Sequence, residues 1–259
     1  MKYTVITGAS SGIGYEAALA FAARGKHLIL AARRTDELEK LKSKVTEIDP
    51  DLDIVIRTVD LSIAANVHAF YESLHQYSIE TWINNAGFGN FASVGEQHLP
   101  KIEQMLHLNI EALTILSSLY VRDYAEVEGT QIINISSGGG YTIVADAVTY
   151  CATKFYVSAF TEGLAQELKG KRAAMQAKVL APAATETEFA ERAFDLDQFE
   201  YEGRVPQFHT AEQMAGFLLE LYDSESVVGI VNGLTYEFEL KEPIFPYAAR
   251  AASKPNDES

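Results

Sequence analysis

The sequence holds one cysteine, Cys151, among 259 residues, so no internal disulfide can form and a metal site built from several thiolates is excluded. It has no apolar run approaching the roughly 18 residues that a membrane span needs. The first apolar run breaks at Gly8, too short for the core of a signal peptide, and the expectation is a cytoplasmic chain with no membrane partner. Basic residues are few: 21 Lys and Arg stand against 36 Asp and Glu, for a net charge of −15. That field repels phosphate backbones and no Lys/Arg cluster offsets it, which argues against nucleic acid as a partner. The six histidines, His27, His68, His75, His98, His107 and His209, show no metal-ligand spacing, and no metal is expected. Cys151 and Trp82 read as packing residues.

What is present is a globular balance, 47% hydrophobic and 22% charged, in a length that suits one domain. Hydrophobic periodicity alternates from the start. Short apolar runs at 3–7, 27–31, 54–59, 81–84, 131–135, 177–180 and 227–231 read as strands. Helical stripes fall between them at 15–24, 35–48, 64–77, 102–127, 149–168 and 211–221, with Thr35 as a helix N-cap. Strands separated by helices return parallel, so the pattern predicts an α/β fold: a Rossmann-like doubly wound parallel sheet of about seven strands with helices on both faces. Residues 1–240 form the single domain of this reading. After Pro182 the rhythm lapses, which marks 185–209 as an insertion over a site, and 241–259 as an extension with a fraying polar end.

Between the first strand and first helix stands Gly8-Ala9-Ser10-Ser11-Gly12-Ile13-Gly14. Backbone amides at that junction and the helix dipole favour an anionic pyrophosphate, with Gly8 making the turn and Gly12 and Gly14 permitting close approach. Glycine turns also close many ordinary strand-helix joints. At the end of the second strand, where an NAD-binding fold places a carboxylate on the ribose 2′-hydroxyl, this chain has Arg33 and Arg34. A guanidinium there suits a 2′-phosphate, which points to NADP(H), with Arg33 the stronger candidate; solvated surface charge is the alternative.

Tyr150 and Lys154, at i and i+4, share a helix face. An ammonium beside a phenol lowers its pKa and makes it a usable acid or base, although this spacing also occurs by chance. Thirteen residues before Tyr150, Ser136 and Ser137 end a strand at the carboxyl edge of the sheet, where such folds bind ligands. Spacing alone leaves the choice between them open.

Taken together, these motifs resemble the short-chain dehydrogenase/reductase family over roughly 2–235. The resemblance implies a catalytic set of Asn109, Ser137, Tyr150 and Lys154. It implies cofactor contacts from Gly8, Ser10, Ser11, Gly12, Ile13 and Gly14, from Arg33 and Arg34, from Asp60 and Leu61, and from Asn85, Ala86 and Gly87. Tyr150 and Lys154 contribute as well, followed by Pro182, Thr185 and Thr187, the last at the nicotinamide carboxamide. Ala183 departs from the family's usual glycine, so the loop must avoid positive φ there or accept strain. The implied activity is hydride transfer between NADP(H) and the carbonyl or secondary alcohol of a small neutral molecule, by a homodimer or homotetramer. Tyr150 would exchange the proton, Ser137 orient the oxygen, Lys154 hold the ribose and Asn109 anchor a proton-relaying water. Two rivals remain: a 3-oxoacyl thioester reductase of lipid synthesis, and a non-catalytic NADP-sensing protein. The acidic run of 185–204 reads as a solvated face, or alternatively as a lid that disfavours anionic substrates.

Overall fold

A computed structural model describes residues 1–248; the polar end expected to fray, 249–259, lies outside the described residues. The first half alternates β1 (Lys2–Thr7), α1 (Gly12–Ala22), β2 (His27–Ala32), α2 (Thr35–Ile48), β3 (Ile54–Thr58), α3 (Ala64–Glu72) and β4 (Ser78–Asn84). The second half continues with α4 (Leu99–Leu106), a π-helical stretch (His107–Ala112), α5 (Leu113–Tyr124), β5 (Gln131–Ile135), α6 (Val148–Lys171) and β6 (Gln176–Ala181). It ends with β7 (Thr185–Glu186), α7 (Phe189–Phe194), β8 (His209–Thr210), α8 (Ala211–Asp223), β9 (Val228–Val231) and β10 (Phe238–Lys241).

Eight strands form one sheet in the order β3-β2-β1-β4-β5-β6-β9-β10. All neighbours are parallel except β10, which runs antiparallel to β9. The central strands are apolar on both faces because helices cover both. Val5, Ile6, Leu28, Ile29, Trp82, Ile133 and Leu180 are fully buried. On one face Phe21, Leu38, Leu41 and Leu218 bring α1, α2 and α8 onto the sheet. On the other, Phe70, Leu116 and Tyr120 of α3 and α5 pack around Trp82. The chain winds outward from β1 in one direction and then resumes at β4 in the other. That reversal opens a crevice beyond the carboxyl ends of β1 and β4.

Four elements differ from the sequence-based expectation. The eighth strand, β10, returns from β9 through a short turn in which Tyr236 takes φ +59 and donates to the Asn232 carbonyl. Its alternation of apolar and charged residues marks a half-exposed edge, which the search for apolar runs passes over. The helix expected over 102–127 runs through 99–124 with helical backbone at both junctions, but its middle, between α4 and α5, is a π-helical stretch. The helix expected over 64–77 closes at Glu72, and β4 begins earlier, at Ser78. No helix among the described residues is long and apolar enough to cross a membrane.

Candidate active site

The turn after β1 is held from outside itself. Thr7 Oγ1 accepts the N–H groups of Asn85 and Ala86 at 3.0 Å each, and Asn85 Nδ2 donates to the Thr7 and Gly8 carbonyls at 2.9 and 3.2 Å. Gly8 and Gly12 adopt φ +68 and +56, where a side chain would be strained. A Cβ on Gly8 would lie 2.8 Å from Ala86 Cα. Gly14 serves differently from the expectation: a Cβ there would meet Asn85 Nδ2 at 2.4 Å and the Gly8 carbonyl at 2.5 Å. It admits the protein's own loop beneath the turn, while Ser10, Ser11, Gly12 and Ile13 line the cleft above.

The two arginines beyond β2 diverge. Arg33 is exposed at the cleft and acts on Asp60 by charge alone. Arg34 forks onto Glu188, at 3.1 and 2.9 Å, and also donates to Ser10. Asp60 accepts the Ser62 N–H and hydroxyl. Partial burial opposes its ionisation, but these bonds and Arg33 hold its carboxyl below the usual range. Leu61 beside it is buried against the cleft.

Asn109 sits inside the π-helical stretch, where the wider turn swings one residue off the regular helix face. Its carboxamide clamps Phe88: Nδ2 donates to the Phe88 carbonyl at 2.9 Å and Oδ1 accepts the Phe88 N–H at 3.2 Å. A further bond to Thr153 Oγ1, at 3.1 Å, ties it to α6. On α6, Tyr150 and Lys154 are both buried, with Lys154 Nζ 5.9 Å from the Tyr150 ring centroid. Lys154 donates to the Ile135 carbonyl at 2.9 Å.

Ser136 and Ser137 differ in their partners. Ser136 Oγ donates to the Lys154 carbonyl and pairs with Ser158 at 2.7 Å, buried between β5 and α6. Ser137 caps the short turn Gly138–Gly140, accepting the Gly139 N–H at 3.1 Å, and opens onto the cleft near Tyr150.

One expectation is corrected. The ammonium was to depress the phenol, but burial pushes Tyr150 up, with only a partial offset from Ser137. Burial likewise pulls Lys154 down to about 8. The lysine is committed to a backbone carbonyl and lies over the ring rather than against the hydroxyl, so desolvation governs both groups.

The short chain dehydrogenase family model matches residues 2–197. The chain belongs to the short-chain dehydrogenase/reductase family. An uncharacterized oxidoreductase of Staphylococcus saprophyticus is 32% identical over 198 residues, covering 76% of this chain and 79% of its own. The short-chain dehydrogenase from Sphingobium yanoikuyae, solved in complex with NADPH, superposes with a TM-score of 0.81 at 29% identity, over 89% of this chain and 87% of that one. The bulky-bulky ketone specific alcohol dehydrogenase from Comamonas testosteroni gives 0.77 at 28% identity, over 89% and 86%. Membership makes the protein an oxidoreductase that works with a nicotinamide cofactor on a small molecule.

The residues present fit such a cofactor. The positive-φ glycines leave the floor of the cleft free of side chains, and the cleft encloses about 790 Å³ from Arg33 to Tyr150. The segment after β6 lines the same cleft. The Pro182 carbonyl accepts the Gly138 N–H at 2.7 Å, and Ala183 keeps negative φ, so replacing glycine costs no backbone strain. Thr185 Oγ1 donates to the Ala183 carbonyl and Thr187 accepts the Phe189 N–H. Thr187 also faces Gly12, 3.0 Å from where a Cβ would stand.

β7 and β8 pair in parallel and pin both ends of the segment between them. Across that segment Phe91, Phe194, Phe199, Tyr201 and Phe208 form a chain of ring contacts at centroid distances of 4.5 to 5.5 Å, the first two stacked, the third edge-on and the last tilted. Phe189 lies against Tyr150 at 5.4 Å. Glu186, Asp195, Asp197, Glu200 and Glu202 are exposed, so most of the acidic run is a solvated face, while Glu188 and Glu191 are half-buried. Sequence reading missed Phe88, Phe91, Tyr141 and Glu188 as cleft residues. Phe88 follows the Asn85-Ala86-Gly87 motif directly and was within its reach; the others carry no motif.

Proposed function

We propose that the protein is an NADP(H)-dependent carbonyl reductase and alcohol dehydrogenase for an uncharged, apolar ketone and its secondary alcohol. The observation that carries this is the convergence of Tyr150, Ser137 and Lys154 on one cleft whose other end presents the exposed Arg33. Arg33, with Arg34, would take the 2′-phosphate, and Gly8 to Ile13 the pyrophosphate. Thr185 and Thr187 would stand at the nicotinamide carboxamide, and Lys154 at the nicotinamide ribose. When bound, the nicotinamide supplies the hydride to carbon in reduction and takes it in oxidation.

The remaining chemistry is this chain's own. Ser137 donates a hydrogen bond to the carbonyl oxygen and fixes its direction. Tyr150 gives its phenolic proton to that oxygen as the C=O π pair closes onto it, leaving a phenolate; oxidation runs the same transfer backwards. The raised pKa keeps Tyr150 protonated at neutral pH, the form that reduction requires. Asn109 holds the Phe88 backbone and so shapes the wall opposite α6. The aromatic contacts from Phe91 to Tyr201 and the exposed placement of most of the acidic residues favour an apolar substrate. The similarity to a ketone-specific alcohol dehydrogenase supports the same class.

The test is NADPH consumption with apolar ketones, aldehydes, quinones and 3-oxoacyl thioesters, comparing the unmodified protein with Tyr150→Phe. Turnover of the ketones that falls by about 10²–10⁴-fold in the variant, with NADPH still bound, is the expected result. Preference for the thioesters would replace this substrate class, and NADPH binding without reduction of any class would favour the sensing role.

A further inference from the structure

The Glu188 carboxylate occupies a position unlike that of the other acids in its segment. It stands at the root of the lid, two residues after β7 and immediately before α7. Both of its oxygens engage Arg34, at 3.1 and 2.9 Å, and one also meets Arg192 at 2.5 Å. Arg34 in turn spans the glycine turn, donating to the Ser10 hydroxyl and carbonyl at 3.3 Å each. Partial burial would raise the Glu188 pKa, but Arg34 first, then Arg192 and Ser11, hold it below the usual carboxylate range.

A carboxylate forked onto a guanidinium uses the same parallel N–H donors that a phosphate uses. Arg34 therefore cannot serve Glu188 and a cofactor phosphate fully at once. Arg33, one residue away and exposed, is under no such constraint. Building on the NADP(H) reading above, we propose that Glu188 is a specificity-determining residue that competes with the cofactor 2′-phosphate for Arg34. Arrival of that phosphate transfers Arg34 from Glu188 and releases the lid root from the glycine turn. A cofactor with a 2′-hydroxyl leaves the Arg34–Glu188 fork in place. Glu188 thus weakens the binding of the phosphorylated cofactor and in exchange couples its presence to the segment that covers the substrate.

Calorimetric binding of adenosine 2′,5′-bisphosphate and of adenosine 5′-monophosphate isolates the phosphate from the nicotinamide and from turnover. In Glu188→Gln the bisphosphate is expected to bind about three- to tenfold more tightly, as loss of a half-exposed competing charge allows, with the monophosphate within twofold. The gain should vanish when Arg34→Ala is added. Hydrogen exchange at 187–192 should quicken when the unmodified protein binds the bisphosphate and not the monophosphate. Unchanged or weaker bisphosphate binding in Glu188→Gln, with Arg33→Ala still weakening it, would overturn the competition and leave the NADP(H) reading standing. If the unmodified protein and Glu188→Gln both hold the two nucleotides equally, and Arg33→Ala alters neither, the NADP(H) reading falls and takes the competition with it. Exchange that responds to both nucleotides alike would overturn the link to the lid.

Discussion

Tyr141 donates its hydroxyl to Glu162 across 2.6 Å, joining the loop that follows Ser137 to the interior of α6. The second oxygen of Glu162 accepts the N–H groups of Ile244 and Phe245, and the Phe245 ring stacks on Tyr141 at 5.4 Å. A buried carboxylate is tolerable when its lone pairs are filled in this way. One residue thereby fixes both a wall of the cleft and the chain beyond β10.

Glu162→Ala leaves the two N–H groups and the Tyr141 hydroxyl without their acceptor. The expected cost is about 1–3 kcal/mol per stranded buried group at most, read as a melting temperature lower by roughly 2–4 °C per kcal/mol. KM should rise more than kcat falls, because Tyr141 lines the cleft without touching the proton route. An unaltered melting curve would contradict this role.

Ser136 and Ser137 are adjacent and their substitutions should separate. Ser137→Ala is expected to lower kcat by about 10²-fold with cofactor affinity retained, as for loss of one donor to a developing oxyanion. Ser136→Ala should cost about 1 kcal/mol of stability, from the lost bonds to Lys154 and Ser158, and leave turnover within a few-fold. Steady-state kinetics beside thermal unfolding distinguishes them, and a reversed pattern would exchange their roles.

The pH profile should report Lys154. Tyr150 is raised, so it stays protonated throughout the neutral range and does not set the limit for reduction. Lys154, pulled down to about 8, is cationic below that value and neutral above it. Reductive kcat/KM should therefore be level up to about pH 8 and fall beyond it with the loss of one proton. Lys154→Arg, whose guanidinium keeps its charge, should retain activity at high pH better than the unmodified protein relative to its own neutral value. A profile that still falls near pH 8 in that variant would assign the limb to another group.

Lys178 offers a prediction away from the chemistry. It is buried on β6 and its ammonium donates to the carbonyls of Leu221, Tyr222 and Ser224, closing the C-terminal end of α8. Lys178→Met keeps the volume but leaves those carbonyls unpartnered, for an expected loss of about 1–3 kcal/mol in denaturant unfolding. Cofactor affinity should not change, and a shift there would show that α8 reaches the site.

The order of strands and helices and the glycine turn were legible in the chain, because each depends on local periodicity or on a short fixed spacing; Arg33, Tyr150 and Lys154 could be named as candidates from spacing, and the structure shows that all three line one cleft. Asn109 was found only through family resemblance: nothing in its neighbours announces the π-helical stretch that carries it. The edge strand β10 escaped because half-exposed strands lack a continuous apolar run. Ser136 and Ser137 could not be separated by spacing, since adjacent strand residues differ only in the face they present, and the sheet decides which face is core.

By itself the sequence determined the alternating α/β plan, the acidic balance, the phosphate-friendly turn and the residue types available for proton transfer. The tertiary structure decided what those residues do to one another. It buried Tyr150 with Lys154 so that desolvation governs both, turned Ser136 inward, and brought Glu188 across 154 positions of chain to Arg34. Charge and burial act through space, and distance through space is set by packing rather than by separation along the chain.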